Sequence, residues 1–112
     1  MSRERFEELV GDALDRIPDE LAELVDNCVV LVEDEPPRGR NLLGEYHGTP
    51  LTARDSGYTM VAPDRILVFR GPILRMCATE DEVVEEVAVT VVHEIAHHFG
   101  IDDERLDELG YA

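Results

Sequence analysis

The chain has 112 residues, a length that predicts one domain, residues 1–112, with a single modest core. Its 26 acidic and 10 basic residues give a formal net charge of −16, which argues against nucleic-acid binding and against attachment to anionic membranes. No apolar run is long enough to cross a bilayer and the N-terminus has no apolar signal core, so we expect a cytoplasmic protein.

Apolar spacing and turn residues predict the early elements. Ser2 is a plausible N-cap for a first helix, whose apolar positions run from Phe6 to Ile17. Pro18 ends or bends that helix, and a second helix is expected to follow. Strands are predicted at residues 28–32, 42–46 and 65–70, with a turn at 55–57 and with Gly71 and Pro72 ending the third strand.

The last long helix has the clearest local signals. Thr79 and Glu82 form a capping box at its start, and Gly100 stands where a left-handed residue would end it. A valine-rich stripe between them gives the helix a wide apolar face. We therefore predict an α+β fold, in which a small mixed sheet packs against N-terminal helices and this long helix.

An H-E-x-x-H sequence, His93-Glu94-x-x-His97, lies at the end of that helix. Residues four positions apart share one helix face, so the two imidazoles can bind one Zn²⁺ while Glu94 lies beside it. Zinc lowers the pKa of a bound water, and Glu94 would take the proton as general base before the water attacks a peptide carbonyl. The predicted substrate is therefore a peptide or protein, held in extended form along a neighbouring edge strand.

Two histidines leave a catalytic zinc one protein ligand short. A sharp turn at Gly100 would bring Asp103 to the same metal, and a carboxylate oxygen suits zinc. Asp102 is the second choice, or it could instead hydrogen-bond a ligand histidine.

Other polar residues have weaker signals. His98 is expected at the surface or beside a ligand, since it points about 100° away from His97. His47 is by default a solvated side chain, although it could steady a charged intermediate. One of the three tyrosines could act as the electrophile, and the candidates are Tyr46, Tyr58 and Tyr111.

The chain resembles the small bacterial zincin-like metallopeptidases. The likeness lies in His93-Glu94-x-x-His97-His98-Phe99-Gly100-Ile101-x-Asp103, with Leu43-Gly44-x-Tyr46-x-Gly48-x-Pro50-Leu51 earlier in the chain. The resemblance implies a minimal zincin fold. It also implies zinc ligation by His93, His97 and Asp103, with Glu94 as the catalytic acid and base.

Two other functions fit parts of the pattern. A zinc-dependent endoribonuclease would have a similar H-x-x-x-H-x-x-G outline, but Glu94, Asp103 and the charge of −16 favour a peptidase. A non-catalytic metal-binding or interaction module would keep the metal without needing Glu94 as a base.

Overall fold

A computed structural model describes residues 1–48 and 63–111 of the protein. These residues form helices and strands in the order α1 (Arg3–Asp15), α2 (Asp19–Asp26), β1 (Cys28–Glu33), β2 (Gly44–His47), β3 (Asp64–Phe69), α3 (Arg70–Met76), α4 (Glu80–Phe99) and α5 (Asp103–Glu108). The turn predicted at 55–57 lies outside them. Within the two described ranges, no helix has both the length and the apolar character that crossing a bilayer requires.

The predicted caps position the two longest helices. The Oγ of Ser2 accepts a hydrogen bond from the Arg5 amide at 3.1 Å and starts α1. Thr79 starts α4 in the same way, because its hydroxyl oxygen accepts from the Glu82 amide at 3.1 Å. Gly100 ends α4 with φ 69°, a left-handed conformation that glycine adopts without steric cost.

The three strands form a mixed sheet in the order β1-β3-β2. β1 pairs with β3 in parallel, whereas β2 pairs with β3 antiparallel and stands at the edge of the sheet that residues 1–48 and 63–111 form. Gly44 lies opposite Val68 and Tyr46 lies opposite Ile66. Because Val68 and Ile66 are fully buried, these four residues mark the sheet face that packs against the helices.

The core lies between this sheet face and the helices α1, α2 and α4. α4 contributes most to it, through Val83, Val84, Val87, Ala88, Val91, Val92, Ile95 and Ala96. The predicted α+β architecture, with a small mixed sheet against the N-terminal helices and the long helix, is confirmed.

The largest departure from the sequence prediction follows β3. Gly71 and Pro72 do not simply end the strand; they lie in the first turn of α3. A proline is tolerated there because the first amides of a helix have no partner within the helix. The Gly71 amide instead donates to the carbonyl oxygen of Asp34 at 2.8 Å. β2 also begins two residues later than predicted, and β3 is shifted by one residue.

Candidate active site

A groove separates α4 from the edge strand β2 and the segment before that strand. It consists of two neighbouring cavities of about 340 and 220 Å³. Leu42, Gly44, Glu94 and His97 line both cavities, and His93 lines the smaller one. The three residues of the H-E-x-x-H sequence therefore face one groove beside a sheet edge.

The absence of a side chain at Gly44 lets β2 approach α4 this closely. A Cβ atom built on Gly44 would lie 2.6 Å from the Cγ2 of Thr90 and 2.9 Å from the carbonyl oxygen of Leu67. The same Cβ would lie 3.9 Å from the Cγ of Glu94. Any larger residue at this position would push the strand away from the helix.

Glu94 is half-buried in the groove. Burial is the main cause that raises its pKa above the ordinary value, and the negative charge of Glu45 adds to the shift. His97 and His93 act in the opposite direction. A raised pKa makes this carboxyl group a better proton acceptor than an ordinary glutamate, which is a property that a general base needs.

The side chain of His93 is held by the C-terminal segment. Its Nε2 lies 2.8 Å from the carbonyl oxygen of Tyr111. Tyr111 is itself held by two hydrogen bonds. Its amide donates to the carbonyl oxygen of Leu106 at 2.8 Å, and its hydroxyl donates to the carbonyl oxygen of Arg16 at 3.4 Å. A carbonyl oxygen can only accept, so Nε2 carries the hydrogen and Nδ1 has the free lone pair in this arrangement.

The two aspartates proposed as the third ligand have different positions. The amide of Ile101 donates to the Ala96 carbonyl oxygen at 2.9 Å and reverses the chain after α4. Asp102 then caps α5, because its Oδ1 accepts from the Arg105 amide at 2.9 Å. Asp103 is the first residue of α5 and its side chain is exposed. The sequence predicted the turn but not the helix that follows it.

The ring of Tyr46 supports the far end of the groove. The His98 ring stacks on it, with 3.8 Å between centroids and 16° between planes. The Tyr46 hydroxyl donates to the Oδ2 of Asp64 at 2.7 Å. The pKa of Tyr46 is raised, first by burial and then by hydrogen bonds with Cys28 and Asp64. The hydroxyl is thus engaged within the fold.

The other residues considered from the sequence are held elsewhere or lie outside the described ranges. His47 places its Nε2 3.1 Å from the Oε1 of Glu45. The hydroxyl of Tyr111 contacts Arg16, as described above, and Tyr58 lies outside the described residues. Among the described residues, the Tyr46 hydroxyl donates to Asp64 and the Tyr111 hydroxyl donates to Arg16, so neither donates to Glu94.

Comparisons with known proteins bear directly on the family. The family model of the zincin-like metallopeptidases matches residues 25–111, which is most of the chain. The chain belongs to the zincin-like metallopeptidase family. No curated protein shows significant sequence similarity to it. A conserved hypothetical protein from Thermus thermophilus has a similar fold, with a TM-score of 0.56 and 22% identity over 88% of this chain and 94% of that one.

Zincin-like proteins bind zinc, and the side chains here supply part of a suitable ligand set. His93 and His97 lie four residues apart on one helix, and imidazole nitrogens are common zinc ligands. Within residues 1–48 and 63–111, however, no three His, Cys, Asp or Glu side chains are arranged to hold a metal ion. Ligation by His93, His97 and Asp103 therefore stays a prediction.

Three residues that shape the groove were not singled out from the sequence. Gly44 was named only within the sequence motif that resembles the family, although it sets the distance between β2 and α4. Glu86 and Thr90 line the smaller cavity with Glu94. A signal was present, since Glu86, Thr90 and Glu94 recur every four positions in a valine-rich helix and so share one face.

Proposed function

We propose that the protein is a zinc-dependent peptidase in which Glu94 is the general base. His93, His97 and Asp103 would hold the metal. Membership of the zincin-like metallopeptidase family supports hydrolysis at the level of the family. The observation that carries the proposal is that Glu94 and His97 line one groove with the edge strand β2.

The edge strand offers a place for an extended peptide. The Phe69 amide donates to the Leu43 carbonyl oxygen at 2.9 Å, so Leu43 is a hydrogen-bonded position of the antiparallel pair. Such positions alternate, and the backbone groups of Gly44 and Tyr46 therefore point away from β3. Both residues line the larger cavity, where a substrate backbone can add as a further strand.

Glu94 would carry the proton through the reaction. When bound, zinc supplies a Lewis acid that acidifies water and polarises a carbonyl group. Glu94 takes the proton from the attacking water and delivers it to the amine that leaves. Its raised pKa, caused mainly by burial, favours the protonated state that the second of these transfers needs.

The expected partners follow from charge. With a formal net charge of −16, the protein is expected to act on peptides or proteins and not on nucleic acid or anionic membranes. The cytoplasmic location stays a prediction from the sequence. Filter binding with RNA at low salt tests the endoribonuclease alternative, which predicts tight binding that falls steeply as salt rises.

The decisive experiment is peptide-library cleavage by protein reconstituted with Zn²⁺, with products identified by mass spectrometry. We expect cleavage that stops when zinc is removed with a chelator and returns when zinc is restored. Glu94→Gln should lose cleavage by a factor of at least about 10², as expected for the loss of a general base. His97→Ala, assayed for bound metal, should lose zinc.

Glu104→Gln is the matched control, since Glu104 is an exposed acid outside the groove. It should cleave at the wild-type rate. Equal cleavage by wild-type and Glu94→Gln protein would show that Glu94 is not the base. Zinc binding without cleavage of any library peptide would favour the non-catalytic module.

A further inference from the structure

We infer that the smaller cavity is a specificity pocket for a basic side chain of the substrate, with Glu86 as the residue that selects lysine or arginine. This inference rests on the proposed peptidase function and names its substrate class. The pocket lies between α4 and the segment before β2, and it opens beside Glu94 and His93.

The charge that selects the substrate is on Glu86. This residue lies eight positions before Glu94 on α4, which corresponds to about 12 Å along the helix axis. It is half-buried, and among the described residues it makes no hydrogen bond and no ion pair. Burial and the charge of Glu85 raise its pKa, while His93 lowers it. A partly buried carboxylate that has neither a hydrogen bond nor an ion pair is stabilised when a cation enters.

A second polar group stands in the same pocket. Thr90 is one turn from both Glu86 and Glu94, and only 6% of its surface is exposed. Its Oγ1 has no hydrogen-bond partner in the described part of the chain. Buried hydroxyl groups nearly always have a partner, so this one is available to a group that enters the pocket. An ammonium or a guanidinium group can donate to Thr90 and Glu86 together.

The walls suit the rest of a basic side chain. Leu42, Leu43 and Val89 line the pocket between its polar groups. Lysine and arginine have long apolar stems that pack along such surfaces while the charged head reaches a polar partner. Because the same pocket is lined by Glu94, the basic residue is expected within two positions of the scissile bond.

The test compares peptides that differ only in one residue, which is lysine, norleucine or glutamate. Norleucine keeps the apolar stem and removes the charge. We expect wild-type protein with Zn²⁺ to cleave the lysine peptide roughly 10- to 100-fold more efficiently than the norleucine peptide, as a hydrogen-bonded charge pair predicts. Glu86→Gln should lose most of this preference, and Glu86→Lys should shift the preference towards the glutamate peptide.

Glu85→Gln is the matched control, because Glu85 is the exposed neighbour on the same helix. It makes the same change in net charge and should keep the lysine preference. Thermal denaturation of all three variants checks that each one folds. If Glu86→Gln does not fold, the charge reversal in Glu86→Lys provides the same comparison with an opposite sign.

Binding of the same peptides to Glu94→Gln protein, measured by calorimetry, separates the two proposals. Lysine-dependent binding that disappears when Glu86→Gln is added, together with no cleavage by wild-type protein, would keep the pocket and remove the peptidase. Cleavage without a preference for lysine over norleucine would overturn the pocket and leave the peptidase standing. Equal binding of the lysine and norleucine peptides to Glu94→Gln, together with no cleavage by wild-type protein, would overturn both.

Discussion

Gly44 and Thr90 meet where β2 crosses α4, and a Cβ atom on Gly44 would lie 2.6 Å from the Cγ2 of Thr90. Gly44→Ala should therefore destabilise the fold by about 1–3 kcal/mol, as overpacking does. Adding Thr90→Ser removes the Cγ2 atom and keeps the hydroxyl. The double variant should recover only part of the loss, because the Leu67 carbonyl oxygen would still lie 2.9 Å from the new Cβ.

Urea denaturation measures these differences, and Gly11→Ala is the control. Gly11 lies inside α1, and a Cβ atom there would meet nothing within 4 Å. This change should stabilise the protein by about 0.5–1 kcal/mol, because alanine is the better helix former. If both glycine variants were equally stable, close approach of β2 to α4 would not be a constraint.

Glu94→Gln should raise the stability of the zinc-free protein at pH 7. Folding raises the pKa of this carboxyl above its ordinary value of 4.5, so the folded state binds the proton more tightly than the unfolded state. The resulting stabilisation is present at low pH and is lost as pH rises through the raised pKa. Replacing Glu94 removes this loss, which should increase Tm by a few degrees at pH 7 and by much less below pH 4.5.

Thermal denaturation in the presence of a chelator, at pH 7 and at acidic pH, measures that change. Glu104→Gln controls for the change in net charge, since Glu104 is exposed. A decrease in Tm for Glu94→Gln at pH 7, or the same increase at both pH values, would contradict the desolvation of this carboxyl.

The roles of Asp102 and Asp103 can be distinguished by measuring the stability and the zinc affinity of their variants. Asp102→Ala should destabilise the protein by about 1 kcal/mol, because it removes the cap of α5, whereas Asp102→Asn keeps a capping side chain. Asp103→Asn should leave the Tm of the zinc-free protein near the wild-type value and should weaken zinc binding. Competition with a chromophoric chelator measures the affinity. Loss of zinc only in the Asp102 variants would make Asp102 the ligand.

Tyr46→Phe should separate the hydroxyl of this residue from its ring. The change removes the hydrogen bond to Asp64 and keeps the ring against His98, and it should destabilise the protein by about 1–3 kcal/mol. Tyr46→Leu removes both contacts and should cost more. Chemical denaturation measures both variants. Equal stability of Tyr46→Phe and wild type would mean that the Asp64 hydrogen bond is replaced by water at no cost.

Local signals predicted the features that depend on neighbouring residues in the chain. Ser2 and Thr79 cap their helices through their own side chains, and Gly100 ends α4 through its own φ. The H-E-x-x-H spacing likewise predicted that His93 and His97 share a helix face, because helix geometry alone decides this. Each of these predictions needed no knowledge of distant contacts.

Features that depend on distant parts of the chain were not predictable in this way. α3 begins at residues that read as a strand end, and the amide of Gly71 finds its partner at Asp34. The position of His93 depends on Tyr111, which is 18 residues away. The role of Gly44 depends on Thr90, which belongs to another element. The periodicity of apolar residues indicates helices and strands, but it does not indicate which distant residues are in contact.

The interleaving of buried and reactive residues along α4 restricts how its length can vary. Val92 and Ile95 are fully buried, whereas His93 and Glu94 between them face the groove. Insertion or deletion of a single amino acid upstream in this helix would rotate one set into the place of the other, since each position turns the helix by about 100°. Insertions or deletions in α4 should therefore abolish both the stability of the fold and the activity of the site. Insertions after Pro37, which lies in an exposed connection, should leave the fold stable.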